Sequence, residues 1–329
     1  SMFNRVHMVS MLLLLSISIA LVPIHTLYSE NEKPVIVCTT SVLASIVRDL
    51  VGDRAIVEVI ASPSICPAHY DVKPSDIDKV RRASLILSHG IEPWIEDIVK
   101  ASGSSAPIVV VKGPWNTPRF LKDRYVAIAE ALEKYLGIDV GDRLDKCLKA
   151  IDEVSEWLKN FAKENGFEDT PVVVMQWQKG YVSFLGFKIV AVYGPPEKVT
   201  PSLYQKVVEN ATKNGALLVI DNLQSGTELG KKIAKEIGGI EVALTNFPET
   251  APGLNNMTEV MKYNAKLLAQ ALYFANLKNS SIKIGQLYEE IVSAEQEARL
   301  WKYAFIFSAI INIVLIISIA VLVVKLRKR

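Results

Sequence analysis

Histidine and cysteine are scarce in this chain, four and three among 329 residues. His7 and His25 fall in the first 29 residues, so only His69 and His89 remain for the rest, which excludes a metal centre built on three histidines. Cys38, Cys66 and Cys147 form no pair of CxxC zinc motifs and are too few for a disulfide scaffold. A glycine-rich phosphate loop, H-E-x-x-H and G-x-S-x-G are also missing, so phosphate cradling, zinc proteolysis and α/β-hydrolase chemistry have no basis here. Asp221-Asn222 offers a carboxylate after a strand but no histidine or metal partner beside it, and no enzyme is expected. Neither charge sign dominates: Lys+Arg number 37 and Asp+Glu 35. Arg5 and the terminal Lys325, Arg327, Lys328 and Arg329 carry the positive excess, so residues 30–302 are mildly acidic. That argues against a nucleic-acid partner.

What is present begins at the two ends. An apolar run over residues 9–22 follows Arg5 and stops at Pro23, the length of a secretory signal core rather than a span. Residues 1–29 therefore read as a signal peptide or, since no A-x-A cleavage pattern follows, an N-terminal anchor. Residues 303–324 are 22 without a charge, about 33 Å as a helix and enough to cross a bilayer. Trp301 and Tyr303 suit the interface, and the basic tail at 325–329 places the C-terminus in the cytoplasm and the body outside the cell. Residues 280–302, poor in Gly and free of Pro, read as a stalk helix leading into the span. The triplets starting at Asn210, Asn256 and Asn279 fit N-glycosylation acceptors of an exported protein.

Between the ends, short β-branched runs alternate with amphipathic stretches. Strands are expected at 35–38, 56–60, 85–87, 108–111, 172–175, 188–192, 217–220 and 242–244, an order that implies parallel sheets covered by helices. The fold class is α/β: an N-terminal lobe at 33–140 and a C-terminal lobe at 168–278, joined by one long helix at 142–165.

Several motifs in this body occur in one order. They are CTTSVLASIVRDL from Cys38, Pro67-Ala68-His69-Tyr70 with Pro74-Ser75-Asp76, Gly90-Ile91-Glu92-Pro93-Trp94, and Met261-Lys262-Tyr263-Asn264. Together they resemble the extracytoplasmic solute-binding proteins of metal-ion ABC transporters, over roughly residues 33–278. The resemblance implies two lobes braced by a rigid helix, a cleft between them that holds zinc or manganese through histidines and a carboxylate, and an ABC permease in the membrane as partner.

The site positions depart from that pattern. With Pro67, Tyr70, Pro74 and Asp76 in register, the first ligand position falls on Ala68, with His69 adjacent. Gly113, Trp115 and Pro118 match H-x-W-x-x-P, which puts Gly113 at the second. The third falls on Gln176, or on Met175 if the register slips by one, and the carboxylate on Asn246. Neutral amides alone give zinc neither charge nor a strong donor, so the family's usual metal site is expected to be absent. Tyr70 and Glu92 from one lobe, facing Gln176, Asn222, Gln224 and Asn246 from the other, would suit an uncharged or zwitterionic solute, or are merely turn and capping residues. A relocated site for zinc or copper(I) on Cys38, Cys66, His69 and His89 is the other possibility. Against it stands a Cys38–Cys66 disulfide, with Cys147 as a buried apolar side chain.

Two functions follow. One is a membrane-anchored solute receptor beside an ABC permease. The other is a cell-surface interaction or structural protein that reuses the scaffold without a ligand.

Overall fold

The computed structural model describes residues 32–280, 287–290, 292–293, 307–320 and 323. Strands β1 (Val35–Cys38), β2 (Ile56–Val59), β3 (Leu85–Ser88) and β4 (Ile108–Val110) form one sheet in the order β2-β1-β3-β4. Strands β5 (Pro171–Met175), β6 (Lys188–Tyr193), β7 (Leu218–Asn222) and β8 (Ile240–Leu244) form a second in the order β6-β5-β7-β8. All pairings are parallel and the two orders are equivalent, so the body is two α/β lobes of the same topology. Central strands covered on both faces read as unbroken apolar runs, as β1 and β5 do.

Helices α1 (Ser41–Val51), α2 (Pro74–Arg81), α3 (Ile95–Ser102) and α4 (Pro118–Leu136) belong to the first lobe. Thr40 caps α1 by accepting from the Leu43 N–H, and α2 and α4 open with Pro in the first turn, where its missing N–H costs nothing. Helix α5 (Gly141–Glu164) runs for 24 residues, about 36 Å. Its buried stripe Ile151, Val154, Leu158 and Ala162 has helical spacing and enters a core shared by both sheets. Each such aliphatic side chain removed from water contributes roughly 1.5–3 kcal/mol for the larger members. The same helix is held to the first lobe by Lys122–Asp152 at 2.7 Å and to the second by the Lys262 ammonium over the Trp157 ring at 5.4 Å. One element thus packs against both lobes.

The second lobe adds α6 (Lys179–Phe184), α7 (Pro201–Lys213), α8 (Glu228–Glu236) and α9 (Met257–Ser280). Beyond α9, Tyr288 stacks on Phe274 with ring centroids 3.8 Å apart, and Lys278 meets Glu289 at 2.7 Å, so this segment packs back on the lobe. Residues 307–320 are helical and carry exposed apolar side chains such as Phe307 and Ile316. Among the described residues no helix is long and apolar enough to cross a membrane. The segment 1–29, most of the 280–302 stalk, both ends of the 303–324 span and the tail at 325–329 lie outside the described residues.

Candidate ligand cleft

The carboxyl ends of the strands in both sheets face a cavity of about 440 Å³ between the lobes. The first lobe lines it with Ala68 from the turn Pro67–His69, with His89 just past β3, and with Gly113 to Asn116 from the loop after β4. The second contributes Trp177, Asn222, Gln224, Asn246 and Phe247.

His89 is 3% exposed and lies flat against Trp115, ring centroids 4.2 Å apart at 26°. Its Nε2 is 2.8 Å from the Thr40 hydroxyl. Burial lowers its pKa to about 4, against the opposing pull of Glu92, so the imidazole is neutral at ordinary pH. The Trp115 indole N–H crosses the cleft to the Asn246 carbonyl at 2.7 Å.

Four side-chain amides build the floor. Asn116 Nδ2 donates to the Trp177 carbonyl at 3.0 Å and to Asn246 Oδ1 at 3.2 Å. Asn246 Nδ2 donates in turn to Asn222 Oδ1 at 3.3 Å, which also accepts from Gln178 at 3.1 Å. Gln224 Nε2 reaches the Pro63 carbonyl at 3.1 Å, and Ser41 donates to the Pro248 carbonyl at 3.0 Å. With the Arg48–Glu249 ion pair at 2.6 Å, the bonds made by Asn116, Gln224 and Ser41 tie one lobe directly to the other.

The residues singled out from the sequence separate into three groups. Ala68, Gly113, Asn222 and Asn246 line the cavity. Gln176 and Tyr70 do not: the Gln176 Oε1 packs at Gly194, and the Tyr70 hydroxyl is spent on Asp76 at 2.8 Å while its ring sits beside Trp94. Glu92 also serves structure, accepting from the Thr39 hydroxyl and from the N–H groups of His89 and Ile91, both at 2.9 Å. Gly113 has φ 97°, and a Cβ there would come within 2.4 Å of the Arg124 guanidinium. A side chain at that position therefore meets backbone strain and would displace the Arg124 tip.

The structure does not bring the four residues of the soft-metal set together: Cys66 and His89 line the cavity, and the other two do not. Cys38 is fully buried in the shared core, its thiol pushed up to about 12 by burial, and His69 is exposed outside the cavity. Among the described residues no group of three or more His, Cys, Asp or Glu is arranged to hold a metal ion. The alternative disulfide is not formed either, since Cys38, Cys66 and Cys147 are all free thiols, and Cys147 is only half-buried. Sequence reasoning passed over Trp177, Ile91, Asn116 and Phe247 as cavity residues. Trp177 adjoins Gln176 and Asn116 follows Trp115, so proximity to the matched motifs was the available signal.

The family model for the zinc-uptake complex component A, periplasmic (ZnuA), matches residues 36–271. The chain belongs to this family. A curated protein of Rickettsia prowazekii, uncharacterized, is 23% identical over 251 residues, 70% of this chain and 82% of its own length. The periplasmic zinc-binding protein TroA from Treponema pallidum superposes with a TM-score of 0.62 at 15% identity, covering 73% of this chain and 99% of that one. The manganese-bound periplasmic metal-binding protein from Candidatus Liberibacter asiaticus gives 0.64 at 15% identity, covering 73% and 100%. At such identities the likeness shows a common two-lobe ZnuA-type fold.

Proposed function

We propose that the protein is a membrane-anchored extracytoplasmic solute receptor that works beside an ABC permease, on a cleft that has lost the family's metal-binding chemistry. The observation that carries this is a cavity placed between two braced lobes of a ZnuA-family chain, where a receptor needs it. The donor set does not fit zinc or manganese. Of the family-matched positions, Ala68 and Gly113 offer no donor atom, Gln176 is turned to Gly194, and Asn246 spends its amide on Asn116, Asn222 and Trp177. A divalent cation there would exchange its hydration for uncharged groups, with only the His89 imidazole and the Cys66 thiol beside engaged amides.

Anchoring rests on the uncharged run at 303–324 followed by basic residues, and on the apolar side chains that helix 307–320 leaves exposed. No catalytic step is proposed. A second reading, a surface interaction protein, gains support from the direct bonds between lobes, which hold the cleft closed by the chain's own groups. Protease shaving of native membranes together with co-purification of the full chain tests the receptor reading. An exterior body and an accompanying permease subunit are expected; a soluble protein with no transporter subunit would contradict it.

A further inference from the structure

We infer that the cleft takes a small uncharged ring molecule, of one or two fused aromatic or heteroaromatic rings, held by stacking and apolar contact. The inference rests on the receptor reading above and names its solute class.

The lining contains no Asp, Glu, Lys or Arg. An ion entering it would lose hydration without gaining a counter-charge, a cost that apolar contact does not offset. His89 would not supply one, because burial keeps it neutral. The polar groups of the floor are largely consumed by one another: both Nδ2 hydrogens of Asn116 and of Asn246 have acceptors, as do both of Gln224. Recognition is left mainly to the walls.

Those walls are aromatic and apolar. His89 and Trp115 make one stacked slab, Phe247 meets Trp115 edge-on at 5.7 Å, and Pro67 closes the same side. Across the cleft Trp177 is 51% exposed, and Ile91 is 48% exposed on the first lobe. Large apolar side chains left half in water at a cavity mouth signal a surface that something covers. A volume near 440 Å³ suits a small organic molecule and excludes a folded partner. A flat ring suits a wall built from His89, Trp115, Phe247 and Trp177, because aromatic pairs gain stabilisation beyond the area they bury.

The test is isothermal titration of the purified full chain with indole and benzamide, beside their anionic counterparts indole-3-acetate and benzoate, and beside zinc and manganese chloride. Saturable binding of the neutral probes is expected, weakened about tenfold in Trp177→Ala, which removes a half-exposed side chain. Ile91→Ser gives the same reading from the other lobe should the first variant unfold. Failure of both neutral probes to bind, or equal binding of their anionic counterparts, overturns the inference. Stoichiometric metal binding without neutral-probe binding overturns the solute class but leaves a receptor in place. Loss of the permease association would remove the receptor reading without altering these titrations.

Discussion

Asn246 Oδ1 accepts a hydrogen bond at 3.2 Å from Nδ2 of Asn116, which lies in the opposite lobe. The side chain at position 246 joins one lobe to the other. Closure of the cleft is thereby written into the chain itself. In Asn116→Ala the buried Asn246 oxygen loses its donor, while the Trp177 carbonyl keeps the one from Asn246 Nδ2. We expect the variant to be destabilised by about 1–3 kcal/mol in denaturant unfolding. Its radius of gyration in small-angle scattering should rise as the lobes part. An unchanged radius would mean that the remaining cross-lobe contacts suffice.

Glu241 predicts a pH dependence of stability. Burial raises its pKa to about 8, with the nearby Asp221 and Glu228 adding to the rise and Lys231 opposing it; Asp221 itself is raised to about 6, mainly by burial. The folded state therefore holds protons that the unfolded state releases, and stability falls as pH rises from about 4.5 toward about 8. His89, lowered to about 4, acts in the opposite direction, losing stability as pH falls from 6.5, so the window from 6.5 to 8 isolates the carboxyl. Thermal melts of the wild type should decline across that window, and those of Glu241→Gln should stay nearly flat.

Gly230 lies on α8 against the same cluster. A Cβ there would approach Asp221 Oδ2 to 2.1 Å and the Tyr193 hydroxyl to 2.7 Å. Both groups are almost wholly buried and cannot retreat into solvent. Gly230→Ala, elsewhere a helix-favouring change, should cost about 1–3 kcal/mol here, read as a lower melting temperature.

Placing histidine at position 113 should not create a metal site. The φ of 97° strains any residue with a Cβ, and the Arg124 guanidinium would have to swing aside as well. Gly113→His is expected to lower the melting temperature and to bind zinc no better than the parent, as equilibrium dialysis would register.

Much of the fold was legible in the sequence because buried parallel strands leave continuous apolar runs, and because the stripe Ile151, Val154, Leu158, Ala162 keeps helical spacing. The cleft was legible only in part. Ala68, Gly113 and Asn246 could be placed by motif register, since Pro67, Trp115 and Pro118 fix the backbone around them. Side-chain direction could not: Tyr70 turns to Asp76, Gln176 to Gly194, and Cys38 into the core, choices made by packing across the sheet rather than by sequence neighbours. Trp177 lines the cavity from the turn after β5, and only its adjacency to Gln176 hints at this in the sequence.

The most direct test is the metal content of the purified full chain after dialysis against zinc and manganese, measured by elemental analysis with a thermal melt at each metal. The account predicts far less than one ion per chain and no metal-dependent rise in melting temperature. One tightly held ion per chain, with a melt that rises on its addition, would contradict it.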